Sequence, residues 1–229
     1  MLDSDYEVRS VLIDLKHAER YSTWADTDVE VLAVASSEMV ELTGFDFHRG
    51  VLACGQRRPL RSLREGFSRT FPSDETMVGL IGIHDPENLG GILRSCGALG
   101  VRRVVLGGGT CDPFSRRALR VAMGATFRLE IYYSHQMQQE IEWLSTSADI
   151  DCIATSLDGD AQPLSTASRS GPCLLLLGNE RDGLPGEIQA CVTRKLRIPM
   201  QLGIDSLNVS AAAAIFIHHF CSVATRPGS

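Results

Sequence analysis

Three short polar segments hold the residues of this chain best suited to chemistry. In the first, Asn88–Arg94, an amide and a guanidinium flank the pair Gly90-Gly91. Arg94 falls one helical turn beyond Gly90, on the face that the glycines leave uncrowded. The second, Gly178–Leu184, reads Gly-Asn-Glu-Arg-Asp-Gly-Leu directly after an apolar run. Gly178 lets a ligand approach the backbone, and Gly183 permits a tight turn. Glu180 stands where a carboxylate can orient or deprotonate a bound group. The third, Ser206–Ser210, opens an alanine-rich helix with two residues, Ser206 and Asn208, that are each competent N-caps. Taken singly, each segment has a plain structural role as a cap, a turn or a surface arginine. The last of them holds more polar groups than a cap needs.

Other chemistries are disfavoured. The loop Ile83–Gly91 lacks the G-x-G-x-x-G spacing of a dinucleotide-binding turn, and Gly107-Gly108-Gly109 has the wrong spacing too. There is no Walker motif and no G-x-S-x-G elbow. Seven cysteines include no C-x-x-C pair, so buried free thiols are expected and a zinc site is not. No apolar run is long enough to span a bilayer, and the acidic start Met-Leu-Asp-Ser-Asp-Tyr-Glu is unlike a signal peptide. A cytoplasmic location is expected.

The formal net charge of −6 runs against nucleic-acid binding, which favours a basic surface. The distribution is more permissive. Of the 22 basic residues all but Lys16 and Lys195 are arginines, the residue that forks onto phosphate. Arg57, Arg58, Arg61, Arg64 and Arg69 form one cluster, Arg102 and Arg103 a pair, and Arg116, Arg117 and Arg120 another group. Arg57, Arg58, Arg61, Arg116 and Arg117 are the candidate RNA contacts.

The elements needed to position these residues can be read from the pattern. Phe71-Pro72-Ser73-Asp74 interrupts any regular structure, dividing the chain into a small α/β unit over 1–72 and a larger one over 73–229. In the small unit Asp5–Arg20 reads as a helix, Val29–Ala35 and Gly50–Gly55 as strands, and Glu38–Thr43 as a helix capped by Ser36 or Ser37. In the larger unit short apolar strands alternate with helices. Strands are expected at Met77–Ile83, Arg103–Leu106, Phe127–Tyr132, Asp151–Ser156, Cys173–Leu177 and Lys195–Ile198. Helices are expected at Leu89–Gly100, Ser115–Met123, His135–Ser147 and Val209–Cys221, with Asn88 able to cap the first. That alternation implies an α/β fold, a mostly parallel sheet covered by helices on both faces. Ligands of such sheets sit beyond the carboxyl ends of the strands, where all three polar segments fall.

In combination the segments resemble the SpoU/TrmH family of RNA ribose 2′-O-methyltransferases. Asn88, Gly90 and Arg94 match its N-x-G-x-x-x-R motif. Gly178, Asn179, Glu180, Gly183 and Leu184 match G-N-E-x-x-G-L. Ile198, Pro199 and Met200, followed by Ser206–Ser210, match its third motif. The likeness covers about 76–220, and Val29–Gln56 resembles part of the small substrate-binding domain that precedes many members. The resemblance implies a C-terminal trefoil knot, S-adenosylmethionine as cofactor, a homodimer joined through the knot helices, and tRNA or rRNA as partner. It implies catalytic roles for Asn88, Arg94, Glu180, Ser206 and Asn208. It also implies cofactor contacts at Leu177, Gly178, Asn179, Ile198, Met200 and Leu207, with no metal. The chain departs from the family at Ala122-Met123, where serine is frequent before Gly-Ala, and at His218-His219, where a glutamate is common. Two other functions fit the residues: a non-catalytic RNA-binding protein that keeps the fold, and a transferase acting on a small molecule that is not RNA.

Overall fold

The computed structural model describes residues 4–26, 28–44, 50–66 and 71–224, and they form two compact units, Met1–Pro59 and Leu60–Ser229. Arg69 of the arginine cluster lies outside the described residues. The units meet at Pro59/Leu60 rather than after residue 72, because Arg61–Ser62 forms a strand that pairs in the larger sheet.

The first unit is built on a three-stranded sheet of β1 (Val8–Asp14), β2 (Glu30–Val34) and β3 (Val51–Gly55), in the order β2-β1-β3. The helix expected over Asp5–Arg20 is instead β1 followed by a 3-10 stretch, Leu15–Asp26. Val8, Val11, Leu12 and Leu15 have helical spacing, which made a helix the natural reading. Pairing overrides it: β1 lies parallel to β2 and antiparallel to β3, with Val11 and Ile13 buried on one face. Helix α1 (Ser36–Thr43) starts at Ala35, whose backbone N–H donates to Glu38 Oε2 at 3.0 Å, and ends at Gly44 in the left-handed region, φ 74°. Neither Ser36 nor Ser37 is the cap. Ser36 Oγ donates at 2.7 Å to Asp14, a buried carboxylate that also pairs with Lys16 at 2.9 Å. These bonds, that of Ser36 foremost, hold the Asp14 carboxyl down at about 2.

The second unit carries an eight-stranded parallel sheet. Its strands are β4 (Arg61–Ser62), β5 (Thr76–Leu80), β6 (Arg103–Leu106), β7 (Glu130–Tyr133), β8 (Asp151–Thr155), β9 (Gln162–Pro163), β10 (Cys173–Leu177) and β11 (Arg194–Arg197). Their order is β4-β7-β6-β5-β10-β8-β11-β9. The helices are α2 (Leu63–Gly66), α3 (Pro86–Leu99), α4 (Arg116–Ala122), α5 (Met137–Ser147), α6 (Gly186–Cys191) and α7 (Val209–Ala224). The predicted α/β class and the alternation hold. Helices cover both faces, as alternate residues of β10 show. Leu175 and Leu177 point into a core shared with α3 and α7, and Leu174 and Leu176 into one shared with α5 and α6. The strand expected from Phe127 begins at Glu130, because Ala125–Arg128 coils as a 3-10 turn.

Register brings the loops together. Leu80 of β5 pairs with Leu177 of β10 and with Leu106 of β6, so the loops that leave these strands start at one level of the sheet. The order of strands reverses beside β5: β6 and β7 lie on one side of it, β10 and β8 on the other. Ligand crevices form at such switch points.

Candidate functional site

Each polar segment is held by its own local structure. Asp85, not Asn88, caps α3: its Oδ1 accepts from the Glu87 N–H at 2.9 Å, and Pro86 occupies the first turn. Asn88 is thereby inside the first turn with its side chain available. Gly90 and Gly91 are small because other helices press on α3. A Cβ on Gly90 would stand 2.6 Å from the Ala118 carbonyl of α4, and one on Gly91 would stand 3.1 Å from Ser210 Cβ of α7. Around the helix Arg94 falls angularly between these glycines, on the stripe left open between α4 and α7.

After β10 the chain doubles back tightly. The Asn179 and Gly183 backbones exchange hydrogen bonds of 2.9 and 3.1 Å, and a Cβ on Gly178 would lie 2.2 Å from Gly183, so only glycine fits there. The Asn179 side chain pins the turn from both ends. Its Nδ2 donates to the Gly82 carbonyl at 2.9 Å, and its Oδ1 accepts from the Arg181 N–H at 2.8 Å. The turn therefore presents Glu180 at a fixed place, above the loop that follows β5.

Asn208 caps α7, its Oδ1 accepting from the Ser210 N–H at 2.9 Å and from Ser210 Oγ at 2.6 Å. Its Nδ2 donates to Asn88 Oδ1 at 2.8 Å, and Asn88 Nδ2 in turn donates to Glu180 Oε1. One chain of hydrogen bonds thus links all three segments. Both amides point their N–H ends the same way, so their dipoles add toward the carboxylate. Arg94 is exposed, and its guanidinium makes no hydrogen bond or ion pair with another described residue. Six residues of rise put its Cα about 9 Å beyond that of Asn88, and helical side chains lean back toward the N-terminus. Around α3 the two residues stand about 120° apart, so Arg94 is not itself a member of the Glu180–Asn88–Asn208 chain.

Beside this chain a cleft of about 230 Å³ opens at the carboxyl ends of β8, β10 and β11. Leu177, Gly178, Asn179, Ile198, Met200 and Leu207 all line it, as does Ser206. Sequence reasoning missed Asp158, Gln189 and Phe216, which also line it. Asp158 follows β8, where the sheet rule did point, but no motif marks it. Hydrogen bonds from Ser156 and from Lys195, the latter at 3.4 Å, hold its carboxyl below the usual range. Cys111 lies near the site with its thiol pushed up by burial and by Asp85, Asp112 and Glu180, so it is a poor nucleophile. The described cysteines are free; Cys96, Cys152 and Cys173 are buried as expected, but Cys54 is exposed.

The outlying arginines are only partly available. Arg117 forks onto Glu87 Oε1 at 2.8 and 3.0 Å. Arg58 bonds the Asp5 carbonyl and lies 5.3 Å over the Tyr6 ring. Arg61 and Arg116 are exposed. The family-divergent Ala122 is buried in the core beside α3, and Met123 is the left-handed C-cap of α4, φ 52°. His219 bonds the Ala167 carbonyl at 2.9 Å, far along α7 from Asn208.

Residues 75–218, which contain every one of these segments, match the SpoU rRNA methylase family. The chain belongs to that family. An uncharacterized tRNA/rRNA methyltransferase of Mycobacterium bovis is 33% identical to this SpoU-family chain over 205 residues, 88% of this chain and 69% of the relative. The 23S rRNA (guanosine-2′-O-)-methyltransferase RlmB of Acinetobacter baylyi is 24% identical over 84% of this chain and 78% of its own. Among solved structures, the AdoMet-bound rRNA methyltransferase of Sinorhizobium meliloti superposes with a TM-score of 0.82 at 29% identity, covering 96% of this chain and 81% of that one.

Proposed function

We propose that this SpoU-family protein uses S-adenosylmethionine to methylate a ribose 2′-hydroxyl of tRNA or rRNA. The observation that carries the reading is the hydrogen-bond chain from Glu180 through Asn88 to Asn208, which gathers three distant segments beside one cleft. The RlmB relative, named for a guanosine 2′-O-methylation, supports the choice of the hydroxyl.

The cleft fits the cofactor. Leu177, Ile198, Met200, Leu207, Val209 and Phe216 offer apolar walls for a flat purine, and the chain termini of β10 and β11 bring backbone donors and acceptors to them. Those walls and the Leu177–Asn179 backbone would hold it. When bound, it supplies an electrophilic methyl carbon. Arg94 would stabilise the negative charge that develops on the ribose 2′-oxygen as its proton leaves, a charge consumed when that oxygen takes the methyl group from sulfur. A guanidinium, with a pKa above about 12, is too weak a base to take the proton. Glu180, a water or a substrate phosphate accepts it instead. Asn88, Asn208 and Ser206 would orient the hydroxyl, a contribution of several kcal/mol when geometry is well held.

The same reading includes a trefoil path for the chain beyond β10, a cytoplasmic location and a homodimer through α7. The dimer is favoured by Ile215, 43% exposed on α7, and by the exposed Leu202 and Ile204 of the preceding loop. Among the described residues no helix is long and apolar enough to cross a membrane. RNA contacts are assigned to Arg57, Arg58, Arg61, Arg116 and Arg117, the last after release from Glu87.

The test is transfer of labelled methyl from the cofactor to purified tRNA and rRNA, followed by alkaline hydrolysis. Ribose methylation blocks cleavage of the adjacent phosphodiester, so label should appear in alkali-resistant dinucleotides. Label in mononucleotides, or in neither RNA, would overturn the reading.

A further inference from the structure

Among the described residues four charged ones line the cleft: Asp158, Glu180, Asp182 and Arg181, the single cation of the set. Two of the carboxylates already have partners. Asp158 pairs with Lys195, and Glu180 accepts from Asn88. Arg181 is exposed and lies between two acidic residues in sequence. Even so, its guanidinium makes no hydrogen bond or ion pair with another described residue. Its backbone, in contrast, is fixed: its N–H donates to Asn179 Oδ1, and the Asn179–Gly183 pairing closes the turn around it. A pinned backbone with a free guanidinium at a cleft wall is the arrangement of a ligand-binding arm.

We propose that Arg181 binds the carboxylate at the amino-acid end of the cofactor, an inference that rests on the S-adenosylmethionine reading above. The charges correspond. The ligand carries two cations, a sulfonium and an ammonium, and one carboxylate. The cleft carries three carboxylates and one guanidinium. Without Arg181 the ligand carboxylate would enter a cleft whose charged side chains are all of its own sign. A guanidinium fork matches a carboxylate with two parallel N–H···O bonds, which a lysine cannot reproduce. The position is variable within the G-N-E-x-x-G-L pattern, so the arm is a feature of this chain's own residues.

Calorimetric titration of the full chain with three ligands tests it: S-adenosylmethionine, S-adenosylhomocysteine and 5′-methylthioadenosine, which keeps the adenosine and sulfur but lacks the amino-acid end. Arg181→Ala should weaken the first two about tenfold, the low end for a charge-assisted pair because the site is exposed, and leave the third unchanged. Arg181→Lys should recover part of the loss. The gap between wild type and Arg181→Ala should narrow as salt rises, because the group is exposed. Equal weakening of all three ligands would mean that Arg181 only shapes the turn. Unchanged cofactor affinity with a raised KM for RNA would make it a phosphate contact. Either result overturns the proposal. Failure of the wild-type chain to bind any of the three would instead remove the cofactor reading on which it stands.

Discussion

In the larger unit β5 and β10 are buried at every residue, with helices on both faces of the sheet. In the smaller unit the sheet β2-β1-β3 leaves Leu32 and Leu52 exposed, both paired in register with Leu12. The doubly covered sheet determines the height at which each loop leaves its strand, and the site depends on that height. The singly covered sheet has fewer buried contacts per strand, and its fixed points are local polar bonds such as Asp14–Ser36. Site geometry should therefore be robust in the larger unit against everything except the few residues that touch the loops. The smaller unit should respond to solution conditions.

The sharpest break in that comparison is Arg94→Ala. It touches no partner within the described residues, so the melting temperature should stay put while methyl transfer falls by roughly 10²–10³, the cost of removing one oxyanion-stabilising donor. Full turnover in that variant would defeat the assignment. Gly178→Ala should act on the large unit itself. A Cβ with 2.2 Å of clearance must displace the turn, costing about 1–3 kcal/mol in denaturant unfolding and abolishing detectable cofactor binding. Asn208→Ala removes both the α7 cap and the link to Asn88, so about 1 kcal/mol of stability should go together with a loss in kcat. A double-mutant cycle with Asn88→Ala should be clearly non-additive, and simple additivity would show that the hydrogen-bond chain does not act as a unit.

The smallest effect belongs to the small unit. The folded Asp14 carboxyl sits at about 2, below its ordinary value near 3.8, so its stabilisation is complete above pH about 4 and fades as pH falls through 2. In Asp14→Asn this part of the pH dependence should vanish. Amide exchange of β1 followed by NMR across that window would reveal it, and an identical acid profile for the two proteins would argue against the Asp14–Ser36 bond as a fastener.

Legibility from sequence followed the same division. The strands of the large sheet were readable because burial on both faces writes them as unbroken apolar runs such as Cys173–Leu177. The motif residues were readable as candidates because their local spacing is distinctive. Val8–Asp14 reads as part of a helix because Val8, Val11, Leu12 and Leu15 have helical spacing, and only its two strand partners decide otherwise. Asn88 reads as able to cap α3, whereas the capping residue, Asp85, lies three positions earlier behind a proline. Phe216 and Gln189 could not be found at all. They reach the cleft from the middle of α7 and from α6, positions that mean nothing until the sheet order is known. Arg181 occupies a variable position of its motif, and only its lack of a polar partner among the described residues singles it out.

The bond from Asn208 to Asn88 spans 120 positions of chain, and that from Asn88 to Glu180 spans 92. No stretch of sequence that could fold early by itself contains the whole site. During folding or synthesis, β10 and α7 must both have docked before any part of the network can close, and contacts of such separation are the slow ones. Circular dichroism can therefore report a finished protein while the network is still open. For this chain the appearance of activity is the stricter clock, and it should lag the appearance of secondary structure.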